Sequence, residues 1–248
     1  MDSHCHLHLP WFDDKKIEEV MTTAYQNNVK KVVSCASNPR NFEQVVSSVK
    51  NPNLFVTLGI QPTLSDELIT SDTIREILVE KNEIKAIGEV GLDYYWVNDD
   101  KLINRQKLLF TNCIELANEF NLPLVIHGRK ATADCLEVLE KYAETPVLLH
   151  SFEGNLDEIN KAKDLGYMIT VPTYVTIRKN RKKIVSRAGI DMIMIETDSP
   201  FCSPSPDIEL NTPSTIPIAG KTISDVLEIP ETEVRKITTI NAEKFYKI

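Results

Sequence analysis

Apolar residues recur along the chain in short β-rich runs: KKVVSCAS (30–37), LFVTLGI (54–60), IKAIGEVGL (84–92), LPLVIHG (122–128), TPVLLHSF (145–152), YMITVP (167–172) and DMIMIETD (191–198). Runs of this length and composition read as strands. Between them lie stretches whose apolar spacing is nearer the helical period, among them 13–28, 66–80, 105–121, 132–143 and 157–165. With the opening DSHCHLH as a first strand, eight strand–helix units are spread over 248 residues. That alternation predicts an α/β protein, a slightly irregular (β/α)8 TIM barrel, in one domain spanning 1–248. A doubly wound open sheet is the alternative, but the chain offers no G-x-G-x-x-G phosphate loop in its favour. The Pro- and Ser-rich stretch CSPSPDIELNTPSTIP (202–217) is expected to be a long loop after the eighth strand.

Composition narrows the setting. With 42% hydrophobic residues the chain can bury one large core, and disorder is not expected. No apolar run is long enough to cross a membrane and no basic-then-apolar leader precedes MDSHCH, so a soluble, cytoplasmic protein without a membrane association is expected. Five cysteines, Cys5, Cys35, Cys113, Cys135 and Cys202, are odd in number and never form C-x-x-C, which suits reduced core thiols. A net charge of −8 argues against an indiscriminate nucleic-acid coat, while leaving room for a local basic groove.

The polar residues at the strand ends carry the chemistry. His4 and His6 alternate about Cys5, so on a strand both point to one side and can reach one ion. Glu89 closes the fourth strand, His127 the fifth, His150 the sixth and Asp198 the eighth. In a parallel barrel all these ends open on one face, so six residues scattered along the chain converge on one mouth. Each has a plainer reading, as a hydrogen-bonded core histidine or an exposed loop acid. Their joint occurrence is more economically explained by a shared cationic centre. Four imidazoles and two carboxylates suit borderline divalent metals such as zinc, manganese or iron.

In this arrangement DSHCHL, GEVGLDYY, LPLVIHGR, LLHSFEG and IETDSPF, in that order, resemble the TatD-type metal-dependent deoxyribonucleases, relatives of the amidohydrolase-like barrels. The resemblance covers nearly the whole chain. It implies a centre of two divalent ions (zinc, manganese or magnesium) held by His4, His6, Glu89, His127, His150 and Asp198, with Glu89 bridging and Asp93 a neighbouring non-ligand. The activity it implies is phosphodiester hydrolysis of DNA, with exonuclease action on single strands and with Asp198 and Glu89 catalytic. Arg129, directly after His127, is a candidate phosphate contact, with a surface ion pair as its plainer reading. Tyr94, Tyr95 and Trp96 are candidates to stack on bases, or simply to pack as a lid. DNA is the expected partner, and no obligate protein partner is evident.

Three positions depart from the resemblance. GIQPT carries Gln61 and Thr63 where family members usually have two histidines, and Gln61 is kept as a candidate substrate contact; HGRKA has Lys130 where an aspartate is common. The late loop also lacks the arginine and glutamate often found around the asparagine corresponding to Asn211. His8 shares the parity of His4 and His6 but lies about 6.6 Å further along a strand, so it is expected at the rim and not as a ligand. IRKNRKK, with Arg178, Lys179, Arg181, Lys182 and Lys183, reads first as a solvated helix face and second as a phosphate-tracking surface. Two other functions fit the same residues: a metal-dependent hydrolase of a small amide, ester or phosphoester, and a catalytically weak metal-bound protein that binds nucleic acid or a partner.

Overall fold

Eight strands form one parallel sheet in sequence order: β1 (Asp2–Cys5), β2 (Val32–Ala36), β3 (Leu54–Leu58), β4 (Ile84–Asp93), β5 (Leu124–Arg129), β6 (Val147–Leu149), β7 (Met168–Pro172) and β8 (Ile193–Glu196). The computed structural model describes residues 1–47, 51–64, 70–80 and 83–248. The sheet closes where β1 meets the chain leaving β8. Asp198 donates its main-chain N–H to the oxygen of His4 at 3.0 Å, and His6 donates to Ser199 at 2.8 Å. Ser3 adds a hydroxyl bond to the Ile195 carbonyl at 2.8 Å. The seam thus leaves the first strand no open edge, and it ties the two ends of the candidate site directly together.

The helices among the described residues are α1 (Asp14–Gln26), α2 (Phe42–Ser47), α3 (Asp72–Glu80), α4 (Asp100–Phe120), α5 (Thr132–Tyr142), α6 (Leu156–Asp164), α7 (Lys179–Ala188), α8 (Ile216–Leu227) and α9 (Glu231–Tyr246). The helix expected from residue 66 is α3, and residues 66–69 of that span lie outside the described residues. The helix expected from residue 105 begins five residues earlier, because the Asp99 carboxylate caps it by accepting from the N–H of Leu102 at 3.0 Å. The expected loop after β8 runs to a short 3-10 turn at Pro213–Thr215, and Ile216 already belongs to α8. Among the described residues no helix is long and apolar enough to cross a membrane.

Strand parity sorts the side chains into two environments. Val90, Leu92, Leu124, Ile126 and Ile193 belong to the main core that includes residues of the surrounding helices. Val33, Ala86, Val125, Leu148 and Met194 form a separate apolar floor inside the barrel, closed from below by Phe245 and Tyr246 of α9. The Tyr246 hydroxyl donates to the Ser3 carbonyl at 2.8 Å, which anchors that plug. Each fully buried Val, Leu or Met of the floor contributes about 1.5–3 kcal/mol of transfer free energy. One strand step above this floor, the inward positions stop being apolar.

Candidate metal centre

Two residues beyond the floor, the inward positions are Cys35 on β2, Thr57 on β3, His127 on β5, His150 just past β6 and Glu196 on β8. Glu89 would face outward by simple alternation. It faces inward because β4 is bulged: Gly88 pairs with Val125 and Val90 with Ile126, leaving Glu89 as the extra residue. β3 passes so close to this bulge that a Cβ on Gly59 would sit 2.3 Å from the Glu89 carbonyl oxygen, so the position requires glycine. Asp198 reaches the same space from a left-handed backbone conformation, φ 54°. Its loop is locked by the buried Asn211 amide, which donates to Thr173 Oγ1 and the carbonyls of Thr197 and Phe201 at 2.7–3.0 Å.

The six residues expected from the sequence meet in two groups that share one carboxylate. His6 Nε2 lies 3.3 Å from His4 Nε2, 3.5 Å from Glu89 Oε2 and 3.3 Å from Asp198 Oδ1. On the other side, Glu89 Oε1 lies 2.5 Å from His127 Nδ1 and 3.2 Å from His150 Nε2. The fit to metal can be checked on the spacing. Two imidazole nitrogens bound to one tetrahedral ion are separated by about 3.3 Å. The His6 tautomer agrees, because Nδ1–H donates to the Cys35 carbonyl at 2.9 Å and leaves the Nε2 lone pair directed into the cluster. Asp93 Oδ2 accepts from His127 Nε2 at 2.9 Å, orienting that ring in the same way. The donor set therefore fits divalent metal.

Proton affinities in the cluster follow its charges. Burial disfavours a charged Glu89, but the His150 and His127 charges hold its carboxyl well below the usual range. Burial also opposes the His127 cation, yet the Glu89 charge and the Asp93 bond raise that group to about 9. Glu196 is the exception among the acids: burial raises its carboxyl, with the His150 charge opposing. Its Oε2 lies 3.6 Å from His150 Nδ1. These groups bind cations, protons or metal, through the same lone pairs.

A cavity of about 990 Å³ opens over His127, His150 and Asp198 and is edged by Arg129, Lys130 and Arg178; of the other substrate-side candidates Tyr94 lines it, whereas Tyr95, Trp96 and Gln61 lie outside its lining. Arg129 has no ion pair among the described residues; its guanidinium sits 4.2 Å from the Tyr95 ring centroid and 5.5 Å from that of Trp96. Tyr95 and Trp96 are 54% and 66% exposed, so both rings have free faces. Tyr94 instead gives its hydroxyl to Asp134 at 2.7 Å, and its ring lies against the core. Gln61 is half-buried beyond β3, its N–H donated to Ser37, and it is outside the cavity lining. His8 is deeper than the expected rim: it is 4% exposed, 5.7 Å from the His6 ring, and burial followed by the His6 charge lowers it to about 3. No donor group among the described residues includes it.

Two expectations are corrected. The basic run is not uniformly a solvated face, because Arg181 turns inward and donates to the carbonyls of Ser151 and Phe152 and to the Tyr174 hydroxyl, bracing the loop after β6. The five thiols are free but not all are core thiols: Cys202 is partly exposed and its Sγ–H donates to Asp198 Oδ2 at 3.2 Å. Sequence reasoning also missed Cys35 and Glu196 as residues of the centre. The signal was present in the alternation Val33/Cys35 and Met194/Glu196, where a polar residue follows a floor residue at the end of a strand.

The family model described as TatD related DNase matches residues 1–247. Human deoxyribonuclease TATDN3 is 30% identical over 259 residues, covering 99% of this chain and 94% of that protein. The uncharacterized metal-dependent hydrolase YabD of Bacillus subtilis strain 168 is 29% identical over 255 residues, covering 100% of this chain and 98% of that one. The crystal structure of YJJV, a TatD homologue from Escherichia coli K12, has a TM-score of 0.91 at 22% identity, over 100% of this chain and 97% of that one, and shares its fold.

Proposed function

The chain belongs to the TatD related DNase family of metal-dependent hydrolases, and on that premise we propose that it removes nucleotides from the end of single-stranded DNA. The observation that carries this reading is the division of Glu89, with one oxygen toward His4 and His6 and the other toward His127 and His150. On this reading two divalent ions would be held, one by His4, His6, Glu89 and Asp198, the other by Glu89, His127 and His150. Bound there, such ions supply Lewis acidity that makes water nucleophilic at neutral pH and neutralises charge on a phosphoryl group.

The chain's own residues do the rest. Asp198 orients the attacking water and accepts its proton, with Cys202 holding the outer carboxylate oxygen. Among the described residues Arg129 spends no donor on a carboxylate, so its fork is available to two phosphate oxygens. The exposed faces of Tyr95 and Trp96 suit unpaired bases, a contact that every base can make. A cavity of about 990 Å³ suits the end of a strand better than a duplex. Free thiols are compatible with action in the reducing cytoplasm.

The test is digestion of end-labelled single-stranded oligonucleotides by protein reconstituted with manganese, beside circular single strands, duplex and a small chromogenic phosphodiester. Mononucleotide release from one end is expected. Glu89→Gln is expected to reduce it by about two orders of magnitude or more. Cleavage of circular strands would sink the exonuclease mode, and turnover of the small ester alone would sink the DNA reading.

A further inference from the structure

A further donor reaches the first ion site. Cys35 is fully buried on β2, and it shares the parity of Val33, which belongs to the apolar floor. Cys35 therefore enters the barrel one layer higher, level with the histidines. Its Sγ, one ring nitrogen each of His4 and His6 and one oxygen of Glu89 all lie within 4.8 Å of one another. Nitrogen and sulfur donors that share one ion lie about 3.3–3.6 Å apart, so a small inward movement brings all four onto one ion, with Asp198 Oδ1, 3.3 Å from His6 Nε2, as a fifth donor. Backbone geometry keeps them together, because the Cys35 carbonyl is the acceptor that orients the His6 ring.

We infer that Cys35 is a thiolate ligand of the ion held by His4, His6 and Glu89, which makes that site prefer zinc or cobalt over magnesium. The inference rests on the metal-centre reading above and extends it to a residue outside the six expected ligands. On binding, the S–H bond breaks, the sulfur electron pair forms the bond to the ion, and the proton leaves to solvent. A thiolate is softer than the carboxylate and water oxygens that magnesium takes, and the preference follows from that difference. The other ion has no sulfur in its donor group, so the two sites should differ in metal preference.

Cobalt(II) is the probe. Metal-free protein titrated anaerobically with cobalt should show visible ligand-field bands together with a near-ultraviolet sulfur-to-cobalt charge-transfer band. Cys35→Ser and Cys35→Ala should lose the charge-transfer band while keeping ligand-field bands, and Cys202→Ser should keep both. Zinc affinity of the first site should fall about tenfold or more in Cys35→Ser, with magnesium affinity nearly unchanged. Ligand-field bands without charge transfer in the native protein, or charge transfer that survives both Cys35 variants, overturns the inference while leaving the metal centre standing. Binding of no cobalt overturns both. Circular dichroism of the two variants separates loss of a ligand from loss of the fold, and the native spectrum decides the matter if neither variant folds.

Discussion

Asp93 Oδ2 accepts a 2.9 Å hydrogen bond from Nε2 of His127. The other Asp93 oxygen accepts the main-chain N–H groups of Tyr95 and Trp96, both at 2.9 Å, so one carboxylate sets the ring of a proposed ligand and the turn that carries the aromatic pair. Asp93→Asn keeps an oxygen for the turn and places an amide against the imidazole. Metal affinity at the His127–His150 site is predicted to fall about 10–100-fold, as for other outer partners of ligating histidines. Zinc competition titrations measure it; an unchanged affinity would show that the ring is held by other contacts.

Gly59→Ala tests whether the bulge in β4 is what delivers Glu89. The added Cβ would lie 2.3–2.4 Å from the main chain of Gly88 and Glu89, and backbone on both sides leaves little room to yield. A loss of about 1–3 kcal/mol of stability is predicted, together with weakened binding of both ions. Chemical denaturation and metal stoichiometry report the two effects separately. Full occupancy of both sites in the variant would mean that Glu89 does not depend on this close approach.

Asp2 should make the metal-free fold less stable as pH rises. Its carboxylate accepts from Thr197 N at 3.0 Å, Thr197 Oγ1 at 2.5 Å and His4 N at 3.3 Å, yet burial outweighs these bonds and raises it from 3.8 to about 7. The unfolded chain therefore loses this proton first. The contribution is fully present below the unfolded value and is lost as pH climbs through the folded one, by about 2–4 kcal/mol between pH 4 and 7. Asp2→Asn has no such proton, so its stability should decline less over the same interval. Urea unfolding in chelator at both ends of the range gives the double difference, and parallel profiles would contradict the assignment.

Gln61→His introduces the histidine that the resemblance to the TatD-type enzymes leads one to expect at that place. Glutamine donates a neutral hydrogen bond but transfers no proton. Because Gln61 lies outside the cavity lining, the substitution is predicted to change kcat/KM on DNA by less than about tenfold, roughly 1.4 kcal/mol in the barrier. A rise of a hundredfold or more at equal metal occupancy would show instead that the native chain lacks a general acid.

The sequence by itself determined the strands, most helices, the face on which their ends open and the six residues that meet there. Those features follow from periodicity, which is local, and from the strand–helix alternation, which implies parallel strands with their ends on one face. His127 and His150 could be read because each continues the inward parity of its own strand, Val125 and Leu148 being two residues earlier. Glu89 was legible as a residue but not as a direction, since its inward turn comes from a bulge defined by the pairing of β4 with β5. Pairing between strands also decided the seam, where His4 and His6 are bonded to the chain at Asp198 and Ser199, almost two hundred residues away. Arg181 reads as one more cation in a basic run until the loop after β6 offers it carbonyls. Tertiary structure likewise decided what surrounds the thiols: Cys35 and Cys113 are both buried, but only packing puts two imidazoles and a carboxylate beside the first. A side chain's partners are set by which strands lie next to its own, and that information is distributed over the whole chain.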